Sequence, residues 1–304
     1  MQWIREKVII MPTTSQKMVS CRQQRGLRMN KADKYFKENL RTILDEGYST
    51  EGHKVRPRYK NGLPAHTVYI NQVVEKYDIS KGEIPITTLR PIAWKNGIKE
   101  ILWIYRDQTN DLSVLEDKYN IKWWRDWEVN NSNTIGQRYG ATVKKYDLMN
   151  KLLNGLINEP YTRRHIIDLY QYADFEESEG LYPCAFLTVW SVRDGYLDMT
   201  LHQRSSDYCT AGHINKFQYV ALMMMVARHT GLKPGVFMHV VDNLHIYDLH
   251  IPNAYELLKR EPSDKEPKLI LKEGKTNFYD FTIDDFELID YDPVKPQLKF
   301  ELGI

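Results

Sequence analysis

Four short pieces of this chain carry side chains able to work together as an active site. Pro183-Cys184 supplies a thiol, whose thiolate is a nucleophile for covalent catalysis. In Gln203-Arg204-Ser205-Ser206-Asp207 a guanidinium, suited to gripping an anion, lies near a carboxylate. Asn215 closes Ala211-Gly212-His213-Ile214-Asn215 with an amide that both donates and accepts. Asn243-Leu244-His245-Ile246-Tyr247 offers an imidazole and a phenol that seek hydroxyl partners. Singly, each has a blander reading. A lone cysteine in an apolar segment is usually a small buried hydrophobe, Arg204 a solvated charge, His245 a satisfied core histidine and Asn215 a helix cap. A Pro-Cys pair is a weak signal, and only the set argues for a site.

The elements that must hold these groups are legible. Phe186 to Val192 and Tyr196 to Arg204 alternate as strands, joined at Arg193-Asp194-Gly195, whose Asp-Gly is a strong hairpin signal. Cys184 therefore lies at the mouth of one strand and Arg204 at the end of its neighbour. A guanidinium beside a thiol stabilises the thiolate and is expected to lower its pKa from about 8.5. Ile214 to His229 reads as a helix stopped by Gly231, with Asn215 in its first turn. Gly235 to Tyr247 is a largely apolar strand on which His245 and Tyr247 share a face. Ile92 to Arg106 is a helix apolar nearly all round in its second half, hence buried, and it encloses Glu100. A buried carboxyl must be paired or hold its proton, and either state suits a general acid or a water organiser. The plain alternative is a glutamate snorkelling at the helix flank.

Elsewhere Ala32, Phe36, Leu40 and Ile43 recur with helical spacing before Gly47. Thr67 to Ile79 is β-like and ends in Ser80-Lys81-Gly82. A helix is expected over Ala141 to Asn158, stopped by Pro160, and Tyr161-Thr162-Arg163-Arg164-His165 opens an apolar strand whose adjacent arginines point to opposite faces. Ala254 to Lys259 is a short helix. The periodicities together indicate a mixed α/β fold.

With 304 residues, 42% hydrophobic and 12% aromatic, the chain can bury a large core. No apolar run reaches the length of a membrane helix. Cys21, Cys184 and Cys209 are an odd set without metal-ligand spacing, which argues for a reducing, cytoplasmic setting, no disulfide framework and no metal. The net charge of +2 is uneven. Residues 1–28 hold six basic residues and one acidic, so the remainder, with 36 basic and 39 acidic, carries −3. That arm reads as a disordered extension ahead of Met29-Asn30-Lys31-Ala32-Asp33, with targeting or weak RNA contact as minor alternatives.

In order and spacing, these pieces resemble the folate-dependent thymidylate synthases. Glu100-Ile101-Leu102-Trp103, Thr134-Ile135-Gly136-Gln137-Arg138-Tyr139-Gly140 and the tail from Phe278 to Ile304 extend the resemblance over nearly all of 29–304, read as one catalytic domain. It implies a large mixed sheet with helices on one face and the other face stacked on a partner's sheet in a homodimer. It also implies conversion of dUMP and 5,10-methylenetetrahydrofolate to dTMP and dihydrofolate. Cys184 would add to C6 of the uracil ring. Arg56 (with Arg58 as the alternative), Gln203, Arg204 and Ser205 would bind the nucleotide and its phosphate, with Arg163 and Arg164 reaching in from the partner. Asn215 would pair with the uracil edge, His245 and Tyr247 with the 3′-hydroxyl. Glu100 would manage protons and Tyr139 the loss of the C5 proton. Trp124, Asp207 and Ile304 would serve the folate, the last as the end of a closing lid.

Some positions depart from the commoner pattern. Ala185 follows the cysteine, Thr87-Thr88-Leu89-Arg90 leaves Arg90 as the candidate for the folate tail, Ala211 and His213 replace a glycine and a proline, and Asn243-Leu244 precedes His245. The last is nearer to pyrimidine hydroxymethylases of the same superfamily, which makes a dUMP hydroxymethylase the rival reading. A non-catalytic nucleotide- or RNA-binding homologue is the rival of another class. The complete set Glu100, Cys184, Arg204, Asp207 and Asn215 weighs against it.

Overall fold

The computed structural model describes residues 29–304, so the basic segment 1–28 and Cys21 lie outside the described residues. The helices are α1 (Lys31–Glu46), α2 (Trp94–Ile101), α3 (Gly140–Lys145), α4 (Leu148–Asn158), α5 (Tyr172–Glu177), α6 (Ala211–Thr230) and α7 (Ile251–Lys259). The strands are β1 (Tyr48–Ser49), β2 (Thr67–Asp78), β3 (Ile166–Asp168), β4 (Ala185–Arg193), β5 (Tyr196–Gln203), β6 (Ser206–Asp207), β7 (Lys233–Tyr247), β8 (Lys268–Leu271) and β9 (Phe286–Ile289). One mixed sheet runs β1-β2-β7-β5-β4-β3, with β6 added beside β7; β8 and β9 form a separate pair.

The Asp-Gly hairpin joins β4 and β5 as its sequence predicts, and places Ala185 opposite Gln203. β5 and β7 run parallel, which demands a crossover between them, and α6 supplies it. β6 pairs in parallel with the end of β7, setting Asp207 opposite His245. α6 is apolar on every side and buried from Lys216 to Met223, as a helix through the middle of a core must be. It packs on α2 at Gly97, where an added Cβ would stand 2.9 Å from Ile214 Cγ2. That close approach brings Glu100 against α6.

Three elements differ markedly from expectation. The helix expected over 141–158 is two, broken where Asp147 adopts φ 51°. Periodicity could not show the break, because Val143 before it and Leu152, Leu153 and Leu156 after it all reach the same core. The strand after Arg164 is only three residues long. The helix expected over 92–106 begins at Trp94 and its second half unwinds into a wider turn, with Asp107 N–H donating to Leu102 O five residues back.

The sheet has two unlike faces. On β5, Leu197, Met199 and Leu201 are buried while Tyr196, Asp198, Thr200 and His202 are half-exposed. In register across the open face lie Ile166, Val189, Thr200 and Met238, then Leu187, His202, Val240 and Val74. That face is aliphatic in its middle, with Val74 half-exposed.

Candidate active site

Cys184 immediately precedes β4, where the bulge between Ala185 and Leu187 ends regular pairing. Arg204, just past β5, closes over it. Its backbone N–H donates to Cys184 O (2.9 Å), its Nε to Pro183 O (3.0 Å), and its Nη2 to Tyr182 O (2.7 Å) while lying 3.6 Å from Cys184 Sγ. Nη1 has no protein acceptor among the described residues. The net effect on the thiol is opposite to expectation. Burial pushes the Cys184 pKa up and outweighs the positive charges of Arg204 and Arg56, which pull it down. Removing a thiolate from water costs more here than the two guanidiniums return.

Behind the thiol, Cys184 N–H donates to Tyr139 Oη (3.2 Å). The Tyr139 ring packs edge-on to Trp124 at 5.2 Å, and Trp124 Nε1–H donates to Glu100 Oε1. The Gln218 amide nitrogen, one turn beyond Asn215 on α6, donates to Glu100 Oε2 (3.1 Å) and Gly97 O (3.0 Å). Burial raises the Glu100 pKa to about 7, against the hydrogen bonds of Trp124, Trp123 and Gln218, which lower it. Such a carboxyl gives or takes a proton near neutrality. Tyr139 is buried and its pKa lies well above the ordinary phenol value, from burial and then from the nearby thiol. It keeps its proton.

The other wall comes from β6 and β7. Asp207 accepts from Cys209 N–H (3.2 Å) and Thr210 Oγ1–H (2.5 Å), and its Oδ1 lies 3.7 Å from His250 Nδ1. Burial raises its pKa, but the contacts with His250 and Thr210 and the nearness of His245 more than offset that, so Asp207 stays ionised. His245 bonds Asn243 through Nδ1 (3.0 Å), and burial, working against the pull of Asp207, lowers its pKa. It is therefore neutral. Tyr247 Oη donates to Gly303 O (3.3 Å). Gln203 is spent within the fold, bonding Ser205 O (2.9 Å) and His239 Nε2 (2.9 Å), and so shapes the loop carrying Arg204 and Ser205. Asn215, the fifth residue of α6 and half-buried, makes no side-chain hydrogen bond among the described residues.

Burial raises the pKa values of both Cys184 and Tyr247, and the loop before β2 brings Arg56 near enough for its charge to work against that rise. Arg58 instead pairs through its backbone with Ile304, N–H to O at 2.7 and 2.9 Å. The tail also lies on α7 and β7, with Glu301 O bonded to His250 Nε2 (2.7 Å) and Phe300 against His250 and Arg90. Arg90 is buried beneath Phe300, bonded to Cys209 O and Gln297, and so is not free to hold a folate tail. Arg163 and Arg164 lie at the β3 edge, exposed and without protein partners among the described residues. The chain thus gathers Cys184, Arg204, Tyr139, Trp124 and Glu100 in one run of contacts, and Asp207, His245 and Tyr247 in another. Sequence reasoning missed Gln218, His250 and Thr210. Gln218 had a signal, since it stands three residues from Asn215 on the same helical face.

A half-buried thiol under a guanidinium, with a carboxyl poised near neutrality behind it, defines a class of enzymes that transfer groups through a covalent cysteine adduct. A thymidylate synthase family model matches residues 34–304. A thymidylate synthase of Streptococcus gordonii is 58% identical over 281 residues, covering 91% of this chain and all of that protein. One from Streptococcus pneumoniae is 57% identical over the same extent. The structure of the thermostable thymidylate synthase A from Bacillus subtilis superposes with a TM-score of 0.84 at 33% identity, over 90% of this chain and 99% of that one. The chain belongs to the thymidylate synthase family, methyltransferases whose function is methylation of dUMP to dTMP.

Proposed function

We propose that this chain carries out that methylation as one catalytic domain over 29–304, with Cys184 as the nucleophile, Arg204 as its clamp and Glu100 as the proton manager. The observation that carries the reading is the 3.6 Å contact between Arg204 Nη2 and Cys184 Sγ, with Nη1 left over. The free thiol is held protonated by burial, so bound dUMP must complete its activation. An anionic phosphate beside Arg56 and Arg204 fixes both guanidiniums at the site, next to the sulfur. Ser205 adds a hydroxyl.

Asn215 O accepts from uracil N3–H and its NH₂ donates to O4, a pattern that complements uracil and not cytosine. Neutral His245, oriented by Asn243, and Tyr247 bond the 3′-hydroxyl. Cys184 passes its thiol proton through ordered water to Glu100, its thiolate adds to C6, and the ring electrons move toward O4, making C5 nucleophilic. 5,10-Methylenetetrahydrofolate supplies both the one-carbon unit and the hydride. Glu100 protonates or deprotonates through ordered water. Tyr139, which keeps its own proton, steers the water that removes the C5 proton. The residues present suit a reduced folate. Trp124 and Trp127, edge-to-face at 5.6 Å, make an aromatic wall, and ionised Asp207 can accept from a pterin N–H. The tail ending at Ile304 covers the site. The two free thiols among the described residues, Cys184 and Cys209, suit a cytoplasmic setting.

The site is completed in a homodimer. The aliphatic open face of the sheet calls for a cover, and a second copy offers the same rows in a two-fold contact. Arg163 and Arg164 would then bind the partner's phosphate. Mixing Cys184→Ala with Arg163→Ala/Arg164→Ala tests this. Random reassortment should restore about a quarter of full activity from two inactive parents, one intact site in each hybrid; no recovery rejects shared sites. Nucleotide analysis tests the reaction itself. The product should be dTMP with one dihydrofolate each, whereas hydroxymethyl-dUMP with tetrahydrofolate would establish the hydroxymethylase.

A further inference from the structure

Among the buried charges that the mechanism leaves unused, one stands beside the site. Arg138, next to Tyr139, is 1% exposed and has no carboxylate hydrogen-bonded to it. Its guanidinium donates only to carbonyls: Nη1 to Asp174 O (2.8 Å) and Gln137 O (2.9 Å), Nη2 to Ser178 O (2.7 Å). It lies over Phe175 at 4.6 Å and Tyr182 at 5.4 Å, two rings that stack on each other at 4.1 Å and 12°. Burying an arginine whose hydrogen bonds all go to carbonyls is costly, even with the charge of the Asp174 carboxylate nearby to offset part of it.

What Arg138 organises is the approach to the thiol. Residues 134–140 and 174–182 are zipped together. Gln137 N–H donates to Ser178 Oγ (2.7 Å). A Cβ at Gly136 would meet Glu179 O at 2.3 Å, and one at Gly180 would meet Ile135 O at 2.7 Å. Arg138 is the one side chain that bonds the turn on both sides and also stacks on Tyr182, two residues before Cys184. Tyr182 O and Pro183 O are in turn held by Arg204, and Cys184 N–H by Tyr139. Tyr139 adopts φ 48°, a strained value for a residue with a side chain, so its ring direction depends on how its neighbours are pinned.

We infer that Arg138 is a positioning residue for the first chemical step: through the Phe175–Tyr182 stack and the carbonyls of residues 137, 174 and 178, it fixes Cys184 and Tyr139 relative to one another. It touches no substrate, so its loss should spare nucleotide binding and slow addition. The inference rests on Cys184 being the nucleophile.

The test compares Arg138→Met, Arg138→Lys and Phe175→Leu by three readouts: dUMP affinity by calorimetry, kcat for dTMP, and solvent exchange of the C5 label of [5-²H]dUMP without folate. Exchange reports addition at C6, because only the adduct has an exchangeable C5. Arg138→Met should lower kcat and exchange together by roughly 30-fold with dUMP affinity within threefold, as expected when reacting groups lose alignment. Arg138→Lys should recover part of the loss, and Phe175→Leu should show the same pattern more weakly. If Arg138→Met does not fold, the other two decide. Unchanged kcat per folded protein, or losses in kcat that match losses in affinity, overturn the inference. If Cys184→Ala retains turnover, the function reading fails instead, whatever the Arg138 variants do.

Discussion

Replacing Glu100 by Gln should change how stability depends on pH, and the size follows from its surroundings. Burial lifts the Glu100 pKa from 4.5 to about 7 in the folded chain. Below pH 4.5 the group is protonated whether folded or unfolded and costs nothing. Above pH 7 it is ionised in both, and the folded state bears the full penalty. A shift from 4.5 to about 7, at 1.36 kcal/mol per unit, is about 3 kcal/mol of stability lost as pH rises through that window. Glu100→Gln removes the charge and keeps the shape. Trp124 can still donate to its oxygen, and Gln218 can turn its amide to accept from the new NH₂. The variant should match wild type near pH 4.5 to 5 and exceed it by up to about 3 kcal/mol at pH 8, while losing most turnover. Denaturant melts at four pH values between 5 and 8 measure the gap. Parallel curves would refute a buried, proton-holding carboxyl at this position.

Three further outcomes follow. Asn215→Asp reverses the donor pattern toward cytosine, so turnover of dUMP should fall by roughly 10⁴-fold while dCMP affinity rises, read by competition binding. Gly97→Ala forces a Cβ to within 2.9 Å of Ile214 Cγ2 and 3.3 Å of Gln218; about 1–3 kcal/mol of stability should be lost, and kcat should fall because Gln218 leaves Glu100. Lys216→Met strips the partner from Glu75, 2.7 Å away and almost fully buried, which should cost about 3–5 kcal/mol in denaturant melts. The double change with Glu75→Leu should recover part of it.

The parts of this account legible in sequence were those with local causes. The Asp194-Gly195 turn dictates the hairpin and so the meeting of Cys184 with Arg204. The apolar surround of Ile98 to Tyr105 dictates that Glu100 is buried. What escaped depends on balances and on contacts between distant segments. Proximity of Arg204 to the thiol was readable, but the greater cost of burying a thiolate was not. Arg90 stood as the candidate for the folate tail by its place in the motif, and only the folded tail shows Phe300 and Gln297 against it. His250 carries no motif of its own, and Gln218 only its place three residues from Asn215, because their roles come from Asp207 and Glu100 across the fold. The break at Asp147 was hidden since both helices bury apolar residues in one core.

The most direct test of the central claim is the rate of dTMP and dihydrofolate formation by wild type and Cys184→Ser, given dUMP and 5,10-methylenetetrahydrofolate. The account predicts equimolar products from wild type and a loss of at least about 10³-fold in the variant, with dUMP still bound, since a hydroxyl beside Arg204 is a far weaker nucleophile than a thiolate. Turnover by Cys184→Ser within tenfold of wild type would contradict it.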